Sequence, residues 1–233
     1  MKKVAILQSN YIPWKGYFDL IASVDEFIFY DEMQYTKNDW RNRNLIKTKD
    51  GLKWLTIPVK TKGHISNFTR INEAAVASSI WSKKHLKTIE EEYSKAKFFE
   101  FYVDKIRELY YKASYLDKLC EINYEMIYFV LDVLEINTKI SFSQDYGLIE
   151  GKTERLIDLV QKAQGKEYIS GPAAKDYIKE ELFFNNNIKL SWMSYENYPT
   201  YKQLHGDFVH NVSILDLILN CGPHSKDFFR HRQ

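Results

Sequence analysis

The sequence predicts an α/β protein: an open parallel sheet of βαβ units, carrying an inserted β-hairpin and a helical layer. Three observations lead there. Val4–Asp31 passes from a short apolar run through a polar loop and an amphipathic helix to a second apolar run. Thr138–Trp192 resumes the same alternation. Between them lies a long stretch with helical periodicity and no strand signal, so the two βαβ regions are read as one sheet with an insertion.

In the first unit, Val4-Ala5-Ile6-Leu7 is too short for a helix and continuous enough for a strand buried on both faces. Gln8-Ser9-Asn10-Tyr11 is a polar loop, and the helix-like pattern starts at Pro13. Tyr17, Leu20, Ile21 and Val24 then form one apolar face, and Phe27–Tyr30 is the next strand. Leu45–Thr48 and Leu52–Val59 flank Lys49-Asp50-Gly51, a strong hairpin signal, with Pro58 marking an edge or end. A helical insertion spans about 79–135. Ser79 is placed as the cap of its first helix; Ile80, His85, Ile89 and Tyr93 form a stripe, followed by helices over Phe98–Tyr111 and Tyr115–Leu134. These helices show no convergent polar residues and read as scaffold or lid. In the second half, Lys139–Phe142 is a strand and Thr153–Val160 a helix capped by Thr153 and stopped at Gly165. Glu167–Ser170 and Ile188–Trp192 are strands around a helix over Ala173–Phe184. Ser213 caps a last helix beginning at Ile214, whose Asp216 reads as an ion-pair partner or a polar residue beside a pocket. The chain is taken as one domain over 1–233.

Among the 233 residues, 33 Lys and Arg against 31 Asp and Glu leave a net charge of +2, which gives no reason to expect nucleic acid. Cys120 and Cys221 read as free thiols. No signal peptide or run long enough to cross a membrane is evident, so a cytoplasmic protein without membrane insertion is expected. His205, His210 and His224 lack partners at ligand spacing, so no metal is expected; His85 and His231 read as surface.

The loops after Leu7 and Ser170 should emerge at one edge of the sheet, where open α/β folds bind ligands and helix starts favour anions. Asn38–Asn44 packs Arg41, Arg43 and three asparagines around Trp40. Arginine forks suit phosphate, and asparagine reads hydroxyls or base edges. Lys15, Arg41 and Arg43 are therefore assigned to a phosphate or diphosphate. Tyr11, Trp14 and Trp40 are assigned to a base or sugar, and Gln8, Gln34, Asn42, Ser170 and Gly171 complete the ligand-binding set. His64, alone in the polar loop Thr61–Asn67, is the first candidate for a general base and Asp31 the second; Asn10 and Ser170 are candidate donors to an oxyanion.

Ile12-Pro13-Trp14-Lys15-Gly16-Tyr17 resembles the P-x-H-x-G-H motif of HUP-superfamily nucleotidyltransferases, with Lys15 and Tyr17 in place of the histidines. The resemblance implies a Rossmann-like, HUP-like sheet. Ala5–Ile21, Asp31 with Gln34-Tyr35, Asp39–Thr48, Trp54–Val59, Tyr168–Tyr177 and Asn211–Pro223 together resemble the WbqC-like family of bacterial proteins. That resemblance implies a role in bacterial surface-polysaccharide (O-antigen, lipopolysaccharide) biosynthesis. The activity it suggests is transfer of an aminoacyl or N-acyl group, such as glycine, to the amine of a nucleotide-linked deoxyamino sugar, a dTDP-amino sugar for example. The partners it implies are that nucleotide sugar and an acyl or aminoacyl carrier protein. No cofactor is fixed; ATP or an activated aminoacyl donor are the two the resemblances allow. Two alternatives stand beside this: an ATP-dependent ligase or nucleotidyltransferase of HUP type, and a non-catalytic nucleotide-sugar-binding or assembly protein.

Overall fold

The computed structural model describes residues 1–60 and 69–231. Five strands, β1 (Lys3–Leu7), β2 (Glu26–Phe29), β5 (Lys139–Phe142), β6 (Glu167–Ser170) and β7 (Lys189–Trp192), form one parallel sheet in the order β5-β2-β1-β6-β7. Counted along the chain that is 3-2-1-4-5, a Rossmann-like arrangement. The order reverses beside β1, so the crevice between the loops following β1 and β6 is the topological switch point. Between β2 and β5, β3 (Arg43–Thr48) and β4 (Gly51–Thr56) form a separate antiparallel hairpin. Its tight turn is Lys49-Asp50, with Gly51 at φ +111°, a conformation that suits glycine.

The alternation of side chains along each strand divides the core into two layers. Ala5, Phe27, Phe29 and Ile169 face α1 (Lys15–Ala22), α2 (Ile80–Tyr93), α3 (Phe99–Ala113), α4 (Leu119–Val133) and α7 (Ile214–Cys221). Val4, Ile6, Ile28 and Tyr168 face α5 (Thr153–Lys162) and α6 (Glu180–Asn185). Every residue of α1 is buried, including Lys15 and Asp19. The chain after β7 covers that helix: Tyr198 Oη donates to Asp19 at 2.5 Å, and the His231 amide donates to the same carboxylate at 2.8 Å. Ser213 caps α7, its Oγ accepting from the Leu215 amide. No helix among the described residues is long and apolar enough to cross a membrane.

Several boundaries differ from the sequence reading, and at the starts of two helices a tertiary hydrogen bond competes with local propensity. α4 starts at Leu119 rather than Tyr115, since Leu119 N donates to Ala74 O and holds Lys118 extended. Ala173–Phe184 is not one helix. A 3₁₀ turn over Pro172–Asp176 ends at Tyr177, and α6 begins only after Lys179, whose amide donates to Thr153 Oγ1. Thr153 is therefore the first residue of α5 rather than its side-chain cap, and Ser79 precedes α2 without a side-chain bond. At the end of α5 the left-handed residue is Gln164, at φ +57°. Gly165 is needed for a different reason: a Cβ there would strike Val4 and Val160. His85 is buried, not on the surface.

Candidate functional site

The loop from Gln8 to Pro13 is held from every side. Ser9 N donates to Asp31 Oδ1 (2.8 Å) at the end of β2, and Tyr17 Oη donates to Gln8 O (2.9 Å). Asn123 Nδ2, on α4, donates to Ser9 Oγ (3.2 Å) and Arg41 O (2.9 Å). Asn44 Nδ2, on β3, donates to the carbonyls of both Tyr11 and Ile12 (3.1 and 3.0 Å). Ile12 needs that clamp. Its φ is +34°, a backbone state that a β-branched residue adopts only when its surroundings impose it, and such strain gathers at functional sites.

Tyr11 N donates to Trp40 O at 2.9 Å, and Arg41 Nη2 donates to Gln8 Oε1 at 3.1 Å. The first strand's loop and the Trp-Arg-Asn-Arg stretch therefore meet. They frame two cavities. The larger, of about 600 Å³, lies at the switch point and is lined by Gln8, Arg41, Ser170 and Gly171, with Tyr30, Met33, Lys152, Arg155 and Tyr177 among the others. Three cations line it and, among the described residues, no carboxylate does. Arg41 is steadied by Asp39 at 2.9 Å. Arg155 donates to Ile149 O and to Tyr30 Oη. Burial raises the Tyr30 hydroxyl's pKa against the opposing pull of Arg155, and raises that of Tyr177 against Arg41. Both phenols stay protonated and can donate. A cavity with guanidinium, ammonium and hydroxyl donors and apolar side walls suits an anionic head joined to a flat or apolar body.

The model of the WbqC-like protein family matches residues 8–228. The chain belongs to the WbqC-like family. It is 47% identical over 231 residues, 99% of each chain, to a Mycobacterium tuberculosis (strain ATCC 25618 / H37Rv) protein described as "Uncharacterized protein Rv1507c". No solved structure matches it.

The predicted site residues of this WbqC-like protein are partly gathered and partly dispersed. Gln8, Arg41, Ser170 and Gly171 line the larger cavity, while Asn10, Trp14 and Trp40 line the smaller. Tyr11 faces neither. Its ring is buried against Trp81, and its hydroxyl lies 2.7 Å from Tyr110 Oη and 2.9 Å from His85 Nδ1, so it supports the loop from beneath. Lys15 also turns away. Its Nζ donates to Pro199 O at 2.8 Å among the rings of Tyr198, Tyr201 and Phe208, and burial lowers its pKa to about 8. Tyr17 likewise lines neither cavity, its hydroxyl donating to Gln8 O. Arg43 lies over the Trp54 ring at 4.1 Å, Asn42 is buried with Nδ2 on Ile57 O, and exposed Gln34 pairs with Arg70. Asp31 accepts from Ser9 N and Tyr124 Oη, so both oxygens are engaged in holding the loop; burial raises its pKa. His64 lies outside the described residues.

The sequence reading missed Lys152, Arg155, Tyr30 and Tyr177. No local signal marks the two cations: Lys152 and Arg155 flank Glu154 at the start of α5, an ordinary charge pattern for a helix start. It also missed that the helical layer serves the site. His85, Asn123 and Tyr124 each hold a loop residue, and none carries a recognisable spacing.

Proposed function

We propose that this protein is an enzyme of surface-polysaccharide sugar biosynthesis that transfers an acyl or aminoacyl group to the amine of a nucleotide-linked deoxyamino sugar. The observation that carries the reading is the switch-point cavity, lined by Arg41, Lys152 and Arg155 with no carboxylate among the described residues. In this reading the diphosphate sits against these cations, and Gln8, Ser170, Tyr30 and Tyr177 donate to its oxygens. The apolar walls at Leu7, Met33 and Leu156 cover the nucleoside.

The sugar amine, as a free base, attacks the carbonyl carbon of an activated donor. A C–N bond forms, the bond to the donor's leaving group breaks, and one proton leaves the nitrogen for a base. We assign that base to His64 on the sequence alone. Asp31 serves instead as a positioning residue, through Ser9.

The test is mass spectrometry after incubating the protein with dTDP-4-amino-4,6-dideoxyglucose and glycine, activated either as a carrier-protein thioester or by ATP. Gain of one glycyl group on the sugar nucleotide is expected. Absence of any gain with every donor, together with no rise in melting temperature on adding the nucleotide sugar, overturns the reading.

A further inference from the structure

Arg41, Lys152 and Arg155 line one cavity, and Trp14 and Trp40 line another. The smaller cavity, of about 200 Å³, is lined by Asn10, Pro13, Trp14, Trp40, Asn44 and Asn211, and none of these is charged. It is built from the same two stretches of backbone as the larger one. Gln8 and Arg41 face the larger cavity while Asn10 and Trp40 face the smaller.

Its walls are fixed in advance. Trp14 packs edge-on against Tyr195 and Tyr198, at 5.1 and 5.9 Å between centroids. Its indole can lie back over α1 only because residue 16 is glycine, since a Cβ there would overlap the ring. Trp40 is 41% exposed and leans on Trp54 at 5.4 Å. Asn44 has both ends of its amide engaged within the protein. Asn10 differs: its Oδ1 is out of solvent and has no hydrogen-bond partner among the described residues. A buried acceptor left over in a cavity wall calls for an N–H or O–H from whatever fills the cavity.

An uncharged hollow with indole faces and one spare acceptor suits a ring with a C–H face and hydroxyl or amino donors. We infer that the smaller cavity receives the pyranose ring of the ligand, with a ring hydroxyl or amine donating to Asn10 Oδ1 and its C–H face against Trp40. The inference rests on the reading of the larger cavity as the diphosphate site and divides the ligand between the two. Charge is held at the switch point, and the sugar lies beyond the Gln8–Asn10 loop.

Calorimetry with dTDP and with a dTDP-linked amino hexose tests the division. The wild type is expected to bind the conjugate about tenfold more tightly than dTDP, the increment a packed aromatic contact supplies. Trp40→Ala and Asn10→Ala should each remove that increment and leave dTDP affinity unchanged. An increment that survives both substitutions overturns the inference, and so does equal weakening of dTDP by Trp40→Ala, which would place the base there. If dTDP fails to bind the wild type, the reading of the larger cavity falls. The smaller cavity is then judged by the indole N–H resonances with a methyl amino-hexoside as probe. Movement of the Trp14 and Trp40 signals supports it, and their constancy at saturating sugar overturns it.

Discussion

The two ends of the parallel sheet handle charge in opposite ways. At the amino end, β2 and β6 each begin with a glutamate set between lysines. Buried Glu26 meets Lys2 at 2.7 Å and Lys139 at 3.1 Å, and also accepts from Ser141 and Tyr146. Glu167 meets Lys189 at 3.0 Å and accepts from Ser191 at 2.6 Å. At the carboxyl end, among the described residues, Arg41 alone of the cavity cations has a carboxylate partner, Asp39; Arg155 makes its bonds to a carbonyl and a phenol. Charges closed on themselves hold strands together. Charges aimed into a cavity without acid partners are available to a ligand.

Breaking the closed end should have the largest effect on stability. Glu26→Ala leaves ammonium and hydroxyl groups that the carboxylate had satisfied, and a cost of about 3 kcal/mol is expected in urea denaturation. Ligand affinity per folded molecule should not change. The same residue sets an acid limit. Burial raises its pKa, but the bonds from Lys2, Ser141, Tyr146 and Lys139 outweigh that and bring it from 4.5 to about 2. Its stabilisation is whole above the ordinary carboxylate value and is lost as pH falls toward 2, and Glu26→Gln should flatten that limb.

The support beneath the carboxyl end should loosen at higher pH than that. Burial lowers the His85 pKa from 6.5 to about 4, so the neutral ring's contribution is complete above 6.5 and drains away between 6.5 and 4. The loss reaches about 3 kcal/mol at the acid end. His85→Gln should remove this pH dependence in denaturation measured across that range.

At the open end, Lys152→Gln and Arg155→Gln should each weaken nucleotide-sugar binding about tenfold or more by calorimetry, the worth of a charge-assisted contact. Lys152→Gln should leave the melting temperature unchanged. A stability loss without an affinity loss would place that lysine among the closed charges and dissolve the contrast. The smallest effect belongs to Lys189→Gln at the amino end: this side chain is 61% exposed, and less than about 1 kcal/mol is expected.

Much of this division was readable in the chain and part was not. Apolar runs and helical periodicity located the seven strands of the described residues and the main helices, because burial of strand and helix faces leaves a local pattern. That the loops after β1 and β6 share one edge followed from sheet topology, whereas Arg41 was assigned to the site by its chemistry alone. Lys15 and Tyr11 show where such reading fails. Both are polar residues beside a predicted site, and nothing local says that Lys15 bonds Pro199 O or that Tyr11 meets His85 and Tyr110. Lys152 and Arg155 fail in the other direction: they look like an ordinary helix start until the fold brings α5 to the switch point.

By itself the sequence determined the α/β class, the hairpin at Asp50-Gly51, the capped last helix and the family pattern, because each rests on neighbours a few residues apart. Only the tertiary structure decided which cations line the switch-point cavity, that Trp14 and Trp40 line a separate one, and that α4 restrains the loop after β1. Those outcomes depend on side-chain direction and on partners far apart in the chain, 114 residues for Ser9 and Asn123 and 184 for Lys15 and Pro199, which local propensity does not encode.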